Sequence, residues 1–314
     1  MRLILFIGLM LILVTCRDKT TVVTDVPVYK TKHVVVIVID GPRYSETWGF
    51  KSREHIPVRS GLLSQGVLVE PFSNNGATVT NPGHTAIATG NYDAVANNGS
   101  ELPHNPSMFQ SMLLFTKKPA YKAYIVASKD KLYILGNTQS AGYHNMYRPY
   151  IDCGVNQNGT GGYRADSITY LHVIAVLQNR KPDLMLINFK DPDVYGHMAD
   201  SVKYIAAIEK SDEYVGLIWD YLQSDPYYKD QTTLIVTNDH GRHLNGISNG
   251  YVSHGDACAG CRKIEFFAIS PDFKKNVVVQ TPYEQIDIPT TISELLHFPL
   301  PYGKGRVMRD VFLP

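Results

Sequence analysis

A run of β-branched residues, HVVVIVIDG at 33–41, places the strongest constraint on what this chain can fold into. It is almost entirely apolar and ends in an acid and a glycine, the pattern of a strand buried on both faces of a parallel sheet. Four later segments have the same character: 121–128, 182–189, 232–239 and 264–270. Helix-like stretches lie between them, most clearly at 201–223, where apolar residues recur at helical spacing. This alternation predicts an α/β fold, a three-layer αβα sandwich whose mainly parallel sheet is covered on both faces.

The first sixteen residues, MRLILFIGLMLILVTC, have the features of an export signal. A short basic start precedes twelve apolar or glycine residues from Leu3 to Val14, too few to span a bilayer comfortably. The final LVTC resembles a bacterial lipobox, which would make Cys16 the lipidated first residue of the mature protein; a plain secretory signal is the alternative. The sequence therefore predicts an exported protein, periplasmic or at the cell surface, anchored to the membrane at Cys16. A polar tether over 17–32 would lead to one folded domain over 33–314.

Composition describes a globular protein and excludes one class of partner. Hydrophobic residues make up 44% of the chain, enough for a sizeable core. The formal net charge is +1, and no run of lysine or arginine stands out. We therefore expect no binding to a nucleic-acid polymer.

Two cysteines lie close together in DACAGCRK. In an oxidising compartment we expect Cys258 and Cys261 to form a disulfide that ties down a loop. A structural zinc site is the alternative, but such a site needs four ligands.

Acidic residues follow three of the predicted strands. They are Asp40 after the first, Asp191 and Asp193 after the third, and Asp239 after the fourth. Because ligands gather at the carboxyl ends of parallel strands, we expect these side chains to converge on one edge of the sheet. Histidines accompany the acids in NDHGRH and DPDVYGH and recur in SHGDACAG, as His240, His197 and His254. Mixtures of carboxylate and imidazole suit zinc, so the pattern predicts a metal centre at that edge.

The stretch ATVTNPGHTAIATG at 77–90 places a hydroxyl at a predicted helix start. Pro82 suits the first turn of a helix, Asn81 is expected to be its N-cap, and Gly90 closes the segment. Thr80 would then lie at the positive end of the helix, a place that attracts phosphate or sulfate. A threonine hydroxyl is a weak nucleophile near neutral pH, but metal coordination can activate it. We therefore expect Thr80 to be a nucleophile rather than an ordinary turn residue.

Five motifs occur in a fixed order along the chain: VIDG, TNPGH, DPDVYGH, TNDHG and SHG. In this order they resemble the alkaline phosphatase superfamily. The nearest branch is the type I phosphodiesterase/nucleotide pyrophosphatase group, together with the threonine-nucleophile bacterial alkaline phosphatases. The resemblance covers 33–314, which would form one catalytic domain. It implies an alkaline phosphatase-like sandwich and a hydrolase that uses two zinc ions on a small-molecule phosphate ester.

The resemblance also implies roles for individual residues. One zinc ion, which activates the nucleophile, would be held by Asp40, Thr80, Asp239 and His240. The other zinc ion would be held by Asp193, His197 and His254, with His243 of DHGRH as an alternative third ligand. Thr80 would attack phosphorus and form a phosphoryl-threonine that is then hydrolysed.

Substrate contacts are less clearly marked in the sequence. The family has an asparagine downstream of the nucleophile that donates to a phosphoryl oxygen. Here the segment NNGSELPHN offers Asn97, Asn98 and Asn105, and we assign Asn105 to this role while the other two stay open.

The segment VASKDKLYILG at 126–136 bears on the choice of ester. It resembles the Lys-Asp-Arg loop with which threonine-type alkaline phosphatases grip a monoester, so Lys129 and Lys131 are expected to be catalytic residues. A monoester carries more charge than a diester, and two cations therefore favour phosphomonoesterase activity. A phosphodiesterase or nucleotide pyrophosphatase is the alternative, and a non-catalytic metal-binding surface lipoprotein is an alternative of another class.

Overall fold

The computed structural model describes residues 27–314. Its strands are β1 His33–Ile39, β2 Val67–Val69, β3 Phe72–Ser73, β4 Ala123–Ala127, β5 Tyr150–Cys153, β6 Leu184–Phe189, β7 Thr232–Asn238, β8 Phe266–Ile269, β9 Val277–Val279 and β10 Tyr283–Glu284. Over this range eight of them form one sheet in the order β5-β4-β6-β1-β7-β8-β2-β9, while β3 and β10 form a small second sheet. All five strands predicted from the sequence are present.

The main sheet is parallel except at one strand. β1 lies between β6 and β7 and runs parallel to both, with Val34 opposite Leu184 on one side and Thr233 on the other. β8 is antiparallel to its neighbours β7 and β2. The carboxyl ends of β1, β6 and β7 therefore meet at one edge of the sheet.

Helices cover both faces of the sheet. They are α1 Pro57–Leu62, α2 Thr80–Thr89, α3 Met108–Thr116, α4 Asp166–Asn179, α5 Asp191–His197, α6 Ser201–Ser224, α7 Ala259–Arg262 and α8 Asp287–Leu295. Alternate residues of β1 point to opposite faces: Val36 packs in one apolar core with residues of α2, α3 and α8, and Ile37 packs in another with residues of α4 and α6. The predicted αβα sandwich is confirmed.

The helix predicted at 201–223 is α6. The side chain of Asp200 caps its first turn by accepting a hydrogen bond from the backbone N–H of Lys203. Ile208, Val215 and Leu222 are fully buried, as their helical spacing predicts.

Packing begins before residue 33. Tyr29 donates a hydrogen bond to Glu294, and the backbone and hydroxyl of Thr31 both donate to Asp272. The end of the expected tether is thus part of the folded body. The predicted signal segment and Cys16 lie outside the described residues. Within 27–314, none of the helices combines the length and apolar character that a membrane crossing requires.

Candidate active site

The sheet topology brings three predicted acids to one edge. Asp40 follows β1 and Asp239 follows β7, which is the immediate neighbour of β1. Asp193 lies in the first turn of α5, which starts two residues after β6 on the other side of β1. Each position is a direct consequence of the parallel order β6-β1-β7.

The first cluster consists of Asp40, Asp239 and His240, all fully buried. His240 Nε2 lies 3.5 Å from Asp40 Oδ1 and 3.4 Å from Asp239 Oδ2. None of these three atoms has a hydrogen-bond partner within the described part of the chain. Burial, together with the charge of Asp239, raises the pKa of Asp40 to about 7, and burial lowers the pKa of His240 to about 3.

The second cluster consists of Asp193, His197 and His254. Asp193 Oδ1 lies 3.2 Å from His197 Nε2 and 3.4 Å from His254 Nε2. Helix α5 places Asp193 and His197 one turn apart, as the spacing predicts. The two imidazole Nε2 atoms are 3.0 Å apart, a separation at which two neutral rings must share a proton or face a common cation.

The two clusters adjoin each other. The rings of His240 and His254 stack with their centroids 3.7 Å apart. Lys129 Nζ lies between the clusters, 2.9 Å from Asp40 Oδ2 and 2.6 Å from Asp193 Oδ2. The three strand ends and one lysine thus form a single charged centre.

The donor atoms of both clusters fit divalent metal ions. His240 Nδ1 hydrogen-bonds to the carbonyl of Gly241 at 3.0 Å, and His254 Nδ1 to that of Thr78 at 2.8 Å. These bonds direct the Nε2 lone pairs toward the carboxylates, the arrangement that outer partners impose on metal-ligating histidines. A cation would also stabilise the ionised carboxylates that burial otherwise disfavours.

Thr80 is the first residue of α2 and is buried beside these clusters. Its hydroxyl accepts a hydrogen bond from Lys129 Nζ at 3.1 Å. The expected N-cap at Asn81 is wrong: the cap is Val79, and Asn81 lies inside the helix, where its N–H donates to Asn97 Oδ1 at 2.9 Å. Asn97 caps the helix from another part of the chain, which local sequence cannot reveal. Gly90 ends the helix, as predicted, and it does so in the left-handed conformation.

The two lysines have different environments. Lys129 is 1% exposed; burial opposes its charge, but Asp40 and Asp193 outweigh burial and raise its pKa above the ordinary value. Lys131 Nζ donates to the carbonyl and to Oδ1 of Asn97, at 3.0 and 3.2 Å. Burial, with the like charge of Lys129, lowers the pKa of Lys131.

A cleft of about 390 Å³ opens beside Thr80. It is lined by Thr80, Asn97, Lys129, Lys131, Tyr163, Asp193, Val194, His197, Met198 and His254. Asn105 is not among these residues, because its side-chain amide donates to Asp93 at 3.1 Å. The structure therefore brings Asn97, and not Asn105, to the predicted site.

Three supporting residues were missed by sequence reasoning. The guanidinium of Arg242 donates hydrogen bonds to the backbone carbonyl and to the carboxylate of Asp193. His84 Nδ1 lies 2.9 Å from the carbonyl of Thr80 and 3.3 Å from Asp239 Oδ2. Tyr163 places its ring 5.6 Å from Lys129 Nζ. Arg242 and His84 lie inside motifs already singled out, so their positions in DHGRH and TNPGH were the available signal.

His243, the alternative ligand, does not join the second cluster. It lies instead in a third group with Asp256, Cys258 and Cys261. The expected disulfide is not formed either: within the described residues both cysteines are free, and the N–H of Cys261 donates to Cys258 Sγ at 3.4 Å.

The amino-acid sequence is similar to one protein family and to several curated proteins. The family model of the metalloenzyme superfamily matches residues 70–250. Among curated proteins, a 2,3-bisphosphoglycerate-independent phosphoglycerate mutase of Nitrosococcus oceani is 33% identical over 70 residues, which are 22% of this chain and 13% of the mutase. GPI ethanolamine phosphate transferase 2 of Debaryomyces hansenii is 25% identical over 308 residues, covering 90% of this chain and 32% of the transferase. The chain thus spans at most about a third of the length of these relatives.

Solved structures share the fold. An alkaline phosphatase superfamily protein from Vibrio parahaemolyticus has a TM-score of 0.63 at 15% identity, covering 90% of this chain and 71% of that one. An inactive threonine-to-alanine variant of murine ectonucleotide pyrophosphatase/phosphodiesterase 5, in complex with AMP, has a TM-score of 0.63 at 16% identity. That match covers 90% of this chain and 100% of the murine one. The resemblance read from the five motifs is confirmed for the fold.

Proposed function

The chain belongs to the metalloenzyme superfamily, and we propose that it hydrolyses small phosphoric esters with Thr80 as nucleophile and two zinc ions as cofactors. One observation carries the proposal. The Thr80 hydroxyl lies at the start of a helix, within hydrogen-bond distance of a lysine that joins two clusters of carboxylate and imidazole donors. A hydroxyl in this position is suited to attack a phosphoryl group once metal coordination activates it.

Two ligand sets are available for the metals. Asp40, Asp239 and His240, with the Thr80 hydroxyl, would hold one ion, and Asp193, His197 and His254 would hold the other. Carboxylate and imidazole donors suit zinc. When bound, such a pair supplies Lewis-acid stabilisation of the entering and leaving oxygens of an in-line displacement.

The protein residues account for the rest of the cycle. The Thr80 hydroxyl gives its proton to solvent, and Oγ1 forms a bond to phosphorus as the bond from phosphorus to the leaving oxygen breaks. The departing alkoxide takes up a proton from solvent. Water then attacks the phosphoryl-threonine and gives a proton to solvent as the bond between phosphorus and Oγ1 breaks. Oγ1 regains a proton from solvent, and phosphate is released. Lys129 Nζ donates a hydrogen bond to Thr80 Oγ1 at 3.1 Å, so its ammonium would stabilise the threonine alkoxide. The start of α2 adds the positive end of a helix dipole at the same place.

Residues lining the cleft favour a monoester. Lys131 and Asn97 lie beside Thr80, where they can meet the charged oxygens of a transferred phosphoryl group. Tyr163 and Met198 are 44% and 65% exposed at the same cleft and offer an apolar surface to a leaving group.

A phosphodiesterase or nucleotide pyrophosphatase is the second candidate. The ammonium of Lys129 is already paired with Asp40 and Asp193. Of the two lysines, this leaves only Lys131 to bind the extra negative charge of a monoester. A site with one such cation is better matched to the lower charge of a diester. The fold shared with the murine phosphodiesterase in its AMP complex points the same way.

The nucleophile is tested with Thr80→Ala and Thr80→Ser. We expect the alanine variant to remain folded and metal-loaded and to lose turnover by about 10³-fold or more, while serine retains part of it. Thr89→Ala, at the other end of α2, is the matched control and should keep turnover. Acid quenching during turnover followed by peptide mass spectrometry should find the phosphoryl group on Thr80. A fully active Thr80→Ala enzyme contradicts the mechanism, and a metal-loaded wild type without esterase activity favours the non-catalytic alternative.

The choice of ester is tested at Lys131. Lys131→Ala should reduce turnover of an aryl phosphate monoester by about 10-fold or more, with little change on the matched aryl diester. Lys131→Arg should restore monoester turnover, since arginine keeps the charge and adds a second donor. Equal losses on both esters would support the diesterase.

We further propose that the protein is exported and held at the membrane through Cys16, from the character of the first sixteen residues. Cys16→Ser should move it from the membrane fraction to the soluble exported fraction.

A further inference from the structure

We propose that His243, Asp256, Cys258 and Cys261 form a structural zinc site, distinct from the two clusters of the candidate active site. One ligand atom of each residue lies within 4.8 Å of the corresponding atoms of the other three. The set comprises two thiols, one imidazole and one carboxylate, all of which bind zinc. The two thiols distinguish this donor set from the other two clusters and select a thiophilic ion over magnesium or calcium.

The histidine is already oriented as a ligand. Its Nδ1 atom is hydrogen-bonded to Ser253 Oγ at 2.9 Å, which leaves Nε2 facing the other three ligand side chains. Nε2 of His243 is buried and makes no hydrogen bond among residues 27–314, although Asp256 Oδ2 lies 3.1 Å away. His243 Nε2 and Asp256 Oδ2 thus lie close together without forming a hydrogen bond, as two ligands of the same metal ion do. With bonds of about 2.0 Å in a tetrahedron, neighbouring nitrogen and oxygen ligands lie about 3.3 Å apart.

The cysteine pair has the Cys-x-x-Cys spacing of zinc-binding loops. Cys258 precedes the single turn of α7, and the N–H of Cys261 donates to Cys258 Sγ at 3.4 Å. Asp256 Oδ1 accepts the N–H of Cys258 at 2.9 Å, which holds this carboxylate beside the thiols. Backbone groups thus support both a sulfur and a carboxylate before any metal binds.

The position of the group indicates what the metal would do. Gly241, next to His240, donates its N–H to the carbonyl of Cys261 at 2.8 Å. Thr78 donates its hydroxyl to the carbonyl of Asp256 at 2.7 Å, and the carbonyl of Thr78 orients His254. A metal bound by the third group would therefore fix the loop that carries His254 against the segment leading to Thr80.

Metal counting tests the site without reference to turnover. The full-length chain, reduced, loaded with zinc and freed of excess by gel filtration, should contain three zinc ions if the proposal and the two-metal active site both hold. Cys258→Ser/Cys261→Ser should contain one ion fewer than wild type, whereas Cys153→Ala, which removes the buried cysteine of β5, should match wild type. An organomercurial, which reacts with thiols, should release one zinc ion from wild type and from Cys153→Ala, and none from the double variant.

A measurement on the wild type alone guards against misfolded variants. Replacement of zinc by Co²⁺ should give the near-ultraviolet charge-transfer band of thiolate ligation, a band that oxygen and nitrogen ligands of the active site do not produce. Absence of that band overturns the proposal. So does a disulfide in protein purified without reductant, which mass spectrometry would detect as a mass 2 Da below that of the chain with free thiols. An inactive enzyme that still shows the band and the thiol-dependent zinc ion contradicts the proposed function and leaves this site intact.

Discussion

Gly41 lies between the two clusters of carboxylate and imidazole donors, and Gly41→Ala should weaken the metal binding proposed for both. Its φ is +64°, a left-handed conformation that costs a residue with a Cβ about 1–2 kcal/mol. A Cβ at this position would also lie 3.0 Å from Asp193 Oδ1 and 3.1 Å from His240 Cε1. Those neighbours belong to different clusters, so the added methyl would push between them.

Neither neighbour can move without loss. Asp193 is held by Lys129 Nζ at 2.6 Å and by Arg242, and the His240 ring is stacked on that of His254 at 3.7 Å. Metal sites tolerate deviations of about 0.2 Å in ligand distance, and the close approach at Gly41 requires a shift of a few tenths of an ångström. We therefore expect metal affinity to fall by about 10–100-fold, the usual consequence of disturbing groups that orient ligands.

Gly246→Ala is the matched control. Its φ is +80°, but a Cβ there would meet no heavy atom of the described residues within 4 Å. Urea unfolding in the presence of a chelator should show both variants destabilised by about 1–2 kcal/mol. Zinc competition against a chromophoric chelator should show weakened binding for Gly41→Ala alone. Equal zinc affinities of the two variants would refute the argument that close approach at Gly41 sets the ligand geometry.

Two further predictions concern stability. Arg59 is fully buried and paired with Asp212 at 2.7 Å and with Glu265. Arg59→Leu leaves two buried carboxylates without their ion pair and should lower the free energy of unfolding in urea by about 3–5 kcal/mol. A decrease below about 1 kcal/mol would contradict this role. Burial opposes the charge of Asp183, but His33, whose Nδ1 lies 3.3 Å from Oδ1, and a hydrogen bond from Lys118 lower its pKa. The stabilisation by Asp183 is therefore present above the unfolded-state pKa and is lost as pH falls through the folded-state value. Asp183→Asn should therefore be less stable than wild type by about 1.5–3 kcal/mol at pH 7 and approach wild type below about pH 4, measured by urea unfolding across pH; a difference independent of pH would exclude a charge effect.

Local pattern was sufficient for five strands of the main sheet, for α6 and for the acids at the edge of the sheet. The spacing of apolar residues along a strand or a helix depends only on neighbouring residues. The segments 33–41 and 201–223 therefore predicted β1 and α6. The convergence of Asp40, Asp193 and Asp239 also followed from local signals, because acids after parallel strands share one edge of the sheet. The edge strands β2 and β9 have three residues each, too few for a periodic signal.

Only the tertiary structure could choose among equivalent side chains. The SHG motif already favoured His254 over His243, and the structure supplies the physical reason: Nδ1 of His254 binds the carbonyl of Thr78, a residue 176 positions away in the chain. Asn97 rather than Asn105 reaches the cleft because it caps α2, which replaces the N-cap expected within the helix's own sequence. Spacing along a chain determines which residues share a strand or a helical face, but a loop brings a side chain to a distant partner only once both ends of the loop are packed. The sequence by itself therefore determined the central strands, the acidic edge of the sheet and the types of donor atoms. Long-range packing decided which asparagine reaches the cleft and placed His243 beside the two cysteines.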